Sequence, residues 1–250
     1  MKQKIIAIGG GSIGWGGKKP EVAAISREII KLSGKKNPRL LFVPTASSDD
    51  RAYVRLAENH FGRKMGCRVE TMYLHKESPS GGEIRRKVLA SDIIYVGGGN
   101  TLMMMNRWKK LGMDKALREA RSKGKVLCGT SAGALCWFRQ GNSDSWKYYN
   151  PKAPLIRVAG LGFLGALGCP HYDGEKDREP QLKAMMKTTP GVAIAMDNCA
   201  ALEVVGDKGR IITSRPGANG WRVYWKKGKY HKEKLTGLGW MSLAEMTRKG

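Results

Sequence analysis

Apolar residues recur in two rhythms along this chain. Short β-branched runs, Lys4-Ile5-Ile6-Ala7-Ile8 the first of them, alternate through the first two-thirds with longer stretches whose apolar positions return every three or four residues. The first rhythm fits a strand buried on both faces, the second a helix with one buried face. The spacing predicts strands at 4–8, 40–43, 69–73, 92–96 and 126–128, and helices at 20–32, 50–61, 82–89, 101–111 and 113–122. Each gap suits a right-handed crossover, so the units are βαβ and the sheet mostly parallel. Past residue 131 the rhythm changes. A helix from about Ala132 comes first, then an apolar stretch at 161–167, a polar helix at 176–187, and short strands at 192–195, 201–205, 210–213 and 222–225. Those last four read as antiparallel. The expected fold class is α/β, a mostly parallel sheet flanked by helices with antiparallel C-terminal edge strands, in one domain over 1–250.

Composition leaves this picture intact and narrows the setting. With 250 residues, 41% hydrophobic and 26% charged, the chain can bury one sizeable core, which excludes disorder and fibrous folds. No apolar run approaches the length of a bilayer span, and the apolar start at 5–8 is too short for a signal peptide, so no membrane partner is expected. Five cysteines, odd in number and without C-x-x-C spacing, indicate neither a disulfide framework nor a zinc site; a reducing cytoplasm fits. No metal or other cofactor is expected. The formal charge of +24 attracts anions at long range, but its 45 lysines and arginines are scattered, which favours a solvated basic surface over a nucleic-acid site. Only 221–234 interleaves aromatics with lysines in the manner of a nucleic-acid binder.

The chemistry gathers around Gly129-Thr130-Ser131-Ala132-Gly133, a G-x-S-x-G with an apolar strand before it and helical residues after it. In that context the serine stands on a strained strand-to-helix turn as a nucleophile; the bland reading is a glycine-rich turn with an inert serine. An oxyanion hole requires backbone N–H groups, one expected from Ala132. The other is expected from Gly97-Gly98-Gly99-Asn100-Thr101, which follows a strand and reaches the same edge, and where Asn100 or Thr101 also fits as a plain helix cap. Of four histidines, His171 follows an apolar stretch and is the expected general base, while His60 and His231 read as solvated. Two other readings are weaker. Gly9-Gly10-Gly11-Ser12-Ile13-Gly14 fits a dinucleotide fingerprint, but 15–20 delays the helix that would hold the pyrophosphate. A thiolate amidotransferase is disfavoured, because Cys128 and Cys136 lie away from the tip of the elbow.

Six segments carry a family resemblance: Ile8-Gly9-Gly10-Gly11, Val43-Pro44-Thr45-Ala46-Ser47, Gly97-Gly98-Gly99-Asn100-Thr101, the Ser131 elbow, Pro170-His171-Tyr172-Asp173 and Asp197-Asn198-Cys199-Ala200-Ala201-Leu202. In these the chain resembles the serine peptidases comprising aspartyl dipeptidase (peptidase E) and cyanophycinase, whose fold is related to class I glutamine amidotransferases. The resemblance implies Ser131 as nucleophile, His171 as base, oxyanion donors at Gly98, Gly99 and Ala132, and substrate contacts from Asn100 and Arg178. Arg178 would grip an acidic substrate side chain through two parallel hydrogen bonds, unless it only pairs with Glu175, Asp177 or Glu179. The third triad member is expected at Asp197, with Asp173 and Asn198 as alternatives. The implied activity is that of an aspartyl dipeptidase-like exopeptidase acting beside an acidic residue, or of a cyanophycinase-like hydrolase. Its partner would be a small acidic peptide, and a homodimer stays open.

Overall fold

Alternation along the first strand divides the core in two. In the computed structural model, which describes residues 1–174 and 176–250, β1 (Lys4–Ile8) turns Ile5 and Ala7 to one face and Ile6 and Ile8 to the other, all fully buried. It is followed by β2 (Arg39–Val43), β3 (Arg68–Thr71), β4 (Ile93–Val96), β5 (Val126–Thr130), β6 (Phe138–Ser143), β7 (Ile156–Ala159) and β8 (Leu164–Cys169). Next come β9 (Ala193–Met196), β10 (Ala200–Val205), β11 (Lys208–Thr213), β12 (Gly220–Lys226), β13 (Lys229–Lys234) and β14 (Met241–Ser242). Among the described residues these strands form two sheets, ordered β14-β11-β10-β1-β5-β4-β2-β3 and β13-β12-β9-β8-β6-β7. The run from β1 to β3 in the first sheet is parallel, as is β6-β8-β9 in the second; the outer strands are antiparallel.

The helices fill the layers around the sheets. They are α1 (Ala23–Ser33), α2 (Arg51–Ala57), α3 (Gly81–Ala90), α4 (Thr101–Leu111), α5 (Met113–Ser122), α6 (Ala132–Leu135), α7 (Arg178–Lys187) and α8 (Leu243–Met246). In α5 the buried positions are Met113, Ala116, Leu117 and Ala120, the three-and-four spacing that gives a helix one apolar face. That face joins Met104 and Trp108 of α4, Ile94 and Val96 of the first sheet, and Phe138 and Ile194 of the second in one core cluster. Truncating the fully buried Trp108 to alanine would cost about 3–5 kcal/mol. Asn100 caps α4 through Met103 N, and Gly112 ends it in the left-handed region at φ 78°.

Two expectations change. The helix at Ala132 lasts a single turn, because Trp137 and Phe138 are both buried in the cluster that joins the two sheets, and the chain peels into β6. The four C-terminal strands are divided: β10 and β11 border the first sheet, while β9 lies inside the second between β8 and β12. All four residues of β9 are buried, the signature of an interior strand. Residues 197–199 therefore carry the chain from one sheet to the other, and that crossing positions part of the site.

Candidate active site

The strand order sets β1, β5, β4 and β2 side by side, with Ile8 level with Thr130 and Val96 level with Gly129. Their carboxyl ends bring residues 9–11, 131, 97–99 and 44–48 to one edge, where open α/β sheets bind ligands. Ser131 has φ 53° and ψ −115°, a strained conformation for a residue with a side chain. Neighbouring backbone over-determines it: Ser131 N donates to Ile8 O at 3.0 Å, while Ala134 N and Leu135 N both donate to Ser131 O at 2.9 Å. A Cβ on Gly133 would stand 2.1 Å from Val96 O, and one on Gly129 2.6 Å from the same oxygen. The glycines of G-x-S-x-G are thus required by the last carbonyl of β4, which lies inside the elbow.

His171 arrives from the second sheet, two residues past β8, with its N–H donating to Gly9 O at 2.9 Å. Its Nδ1 lies 2.7 Å from Asn198 Oδ1. Asn198 in turn donates through N and Nδ2 to Asp173 Oδ1, at 2.7 and 3.0 Å, and Arg215 Nη2 donates to Asp173 Oδ2 at 2.8 Å. Since the Asn198 amide nitrogen is committed to a carboxylate, its oxygen must face His171, so Nδ1 carries the proton and Nε2 the lone pair. A Cβ on Gly10 would come within 2.1 Å of Asn198 Oδ1 and 2.4 Å of His171 Nδ1. The glycine run that fits a dinucleotide fingerprint is therefore the floor beneath the imidazole, and α1 begins only at Ala23.

The structure brings some expected residues together and separates others. Gly98 is beside the nucleophile, since a Cβ there would lie 3.3 Å from Ser131 Cβ, and its N–H reaches Tyr53 Oη at 3.4 Å. Ala132 opens α6, so its amide is one that a helix leaves without an intrahelical acceptor. Gly99, at φ 136°, is demanded by the Ala46 carbonyl, which would stand 2.1 Å from a Cβ. Asn100 borders the cleft, yet both ends of its amide are engaged, Oδ1 with Met103 N at 3.0 Å and Nδ2 with Ser145 O at 3.3 Å.

Asp197 is not the group on His171. Its Oδ2 accepts from Asn219 N at 2.8 Å and its Oδ1 from Trp221 Nε1 at 3.3 Å, and burial raises its carboxyl pKa above the ordinary value. Its N–H also donates to Asn219 O at 2.9 Å, which ties Asp197 to the β12 side, and the next residue faces the histidine. Arg178 is likewise away from the cleft: it is 1% exposed, with Nη1 donating to Asn142 O at 3.2 Å. Of the acids expected near it, Glu179 pairs with Lys232 at 2.9 Å, and Glu175 lies outside the described residues.

Ser131 and His171 border one cleft of about 720 Å3. Its other walls include Trp15, Asp50, Tyr53, His75, Tyr148 and Tyr149, none of them identified from sequence. A signal existed for two: Asp50 and His75 come shortly after β2 and β3, at the same carboxyl edge. Asp49, fully buried, anchors the second of these loops by accepting from His75 N and Lys76 N at 2.7 and 2.8 Å. Burial pushes the Tyr53 hydroxyl up to about 12, and its oxygen accepts from the Gly98 N–H. The same effect raises the Cys128 and Cys136 thiols well above the ordinary value, which keeps both from serving as a thiolate nucleophile.

Residues 5–212 match the description "Peptidase family S51". The chain belongs to that family. This S51 peptidase is a serine-type hydrolase, 38% identical over 225 residues to an uncharacterized peptidase, YgaJ, of Bacillus subtilis (strain 168), with 89% of this chain and 92% of the relative covered. An uncharacterized peptidase of Pasteurella multocida (strain Pm70), PM1590, is 30% identical over 142 residues, covering 55% of this chain and 66% of the other. The fold is shared with a crystal structure of a peptidase from an acI-B1 Actinobacterium, at TM-score 0.70 and 18% identity over 97% of both chains. Among the described residues of the S51 peptidase no helix is long and apolar enough to cross a membrane.

Proposed function

We propose that this S51 peptidase hydrolyses a peptide bond of a short peptide with Ser131 as nucleophile, His171 as general base, and the N–H groups of Gly98 and Ala132 as oxyanion donors. The observation that carries the reading is the 2.7 Å contact from His171 Nδ1 to Asn198 Oδ1, which leaves Nε2 as an acceptor on the cleft that Ser131 borders. In the acylation step Ser131 Oγ attacks the carbonyl carbon and its proton passes to Nε2; the oxyanion collapses, the C–N bond breaks, and Nε2 returns the proton to the leaving amine. Water repeats the sequence on the acyl-enzyme. Each oxyanion donor contributes about a hundredfold to a thousandfold in rate.

Asn198 orients the imidazole but supplies no charge, and the Asp173 and Arg215 pair behind it holds Asn198 in place. A cleft of about 720 Å3 suits a few residues of peptide rather than a folded protein. Preference for an acidic residue, in a dipeptide or a polymer, depended on Arg178, whose engagement with Asn142 away from the cleft leaves that preference without a cation. The reading is tested by steady-state hydrolysis of a short-peptide library. His171→Ala is expected to lower kcat by about a thousandfold or more with the fold intact by circular dichroism; activity near wild type would contradict it.

A further inference from the structure

The chain carries 45 lysines and arginines, yet among the described residues none of them lines the cleft around Ser131. Its acidic side chain is Asp50, which is exposed at the wall, and its large side chains are aromatic: Trp15, Tyr53, Tyr148 and Tyr149. Trp15 is 48% exposed, Tyr148 58% and Tyr149 77%. Aromatic rings in water are costly unless they receive something, and here three of them collect at one mouth. Trp15 and Tyr53 rings lie 5.6 Å apart, forming one side of it. Ring faces and a carboxylate both attract cations, and neither attracts an anionic side chain.

We propose that the cleft selects peptides bearing a positive charge near the scissile bond, held by Asp50 between Trp15, Tyr53, Tyr148 and Tyr149. The inference rests on the Ser131 peptidase reading and names its substrate class. Asp50 Oδ1 accepts from Tyr53 N at 2.6 Å as the cap of α2, and the carboxylate forms no ion pair among the described residues, so its charge is available to a ligand. The net charge of +24 opposes cations at long range, but salt screens that field over about 8 Å, whereas a contact with Asp50 acts inside that distance. Two sources share this chemistry: a lysine or arginine side chain, and the α-ammonium of the substrate.

Asp50→Asn separates charge from structure, since asparagine caps a helix as well as aspartate does. The experiment compares kcat/KM for acetyl-Lys-Leu, Leu-Leu, acetyl-Leu-Leu and Asp-Leu with the wild-type chain and this variant, with fluorophosphonate labelling of Ser131 followed in both. Acetyl-Lys-Leu or Leu-Leu is expected to exceed acetyl-Leu-Leu by about tenfold or more, and Asp50→Asn to bring that ratio near one. The substrate that shows the gain identifies the source as side chain or amino terminus. A ratio near one in the wild type, a ratio that survives Asp50→Asn, or Asp-Leu surpassing Leu-Leu overturns the proposal. Loss of labelling in the wild type would instead sink the Ser131 reading, so the two failures are distinguishable.

Discussion

Ser26 and His60 touch directly, Oγ to Nε2 at 2.9 Å, while Ser131 and His171 form no direct bond among the described residues. Contact alone would select the pair that is buried. Ser26 is fully buried in α1 and its Oγ reaches Val22 O at 3.1 Å, so its proton has a helix carbonyl to satisfy. His60, 1% exposed, faces it from the π-helical turn Glu58–Arg63, and the groove beside it is lined by His60 but not by Ser26. No substrate carbonyl can approach that serine. Ser131 stands on a strained elbow at the carboxyl edge of one sheet, and His171 comes from the other with its tautomer set by Asn198. In the proposed assignment, access and an oriented lone pair, rather than a short distance at rest, mark the nucleophile and its base.

The largest effect that sharpens this contrast is expected from the serines. Ser131→Ala is expected to lower kcat by about a thousandfold or more, because only binding and the oxyanion donors then remain. Ser26→Ala is expected to leave kcat within about twofold and to cost about 1–2 kcal/mol of unfolding free energy, measured by urea denaturation, through the hydrogen bond it removes. Comparable activity losses from the two changes would erase the distinction.

Next come the groups behind His171. Asn198→Ala is expected to lower kcat about tenfold to a hundredfold with little change in KM, since the imidazole loses its orienting partner. Asp197→Ala is expected to act on stability, because its carboxylate ties Asn219 and Trp221 to the end of β9, and to spare kcat per folded molecule. The opposite ranking in the same assays would return Asp197 to the catalytic relay.

An effect on stability alone, with none expected on kcat, concerns pH and the buried pair. Burial, aided by nearby Lys64, lowers His60 from 6.5 to about 4. Between those values only the unfolded chain takes up the proton, so stability present above pH 6.5 is lost as pH falls toward 4, by about 3 kcal/mol for this group. Thermal midpoints measured across that window are expected to fall less steeply in His60→Gln than in the wild type. Parallel slopes would mean that His60 is solvated, as its sequence context suggested.

Much of the first sheet was legible because β1, β2, β4 and β5 are buried on both faces and write uninterrupted apolar runs. Ser131 and His171 were legible for a related reason, since both follow such runs directly. The second sheet was legible only in part, through β9 and β12. Phe138-Arg139-Gln140-Gly141-Asn142-Ser143 is too polar to announce β6, and the pairings of β6 with β8 and of β8 with β9 join strands far apart in sequence, which periodicity does not record. Asp197 and Asn198 are adjacent in sequence and face different partners, so only the crossing from β9 to β10 decides which of them meets the histidine. The position of Arg178 was not legible either, because what buries it is Asn142 of β6 in that same second sheet.

The central claim, that the strained elbow and not the buried pair holds the reactive serine, is tested most directly by labelling the intact protein with a fluorophosphonate and mapping the modified peptide by mass spectrometry. Phosphonylation is expected at Ser131 alone, and none is expected in Ser131→Ala. A modified Ser26, or undiminished labelling of the Ser131→Ala chain, would contradict the account.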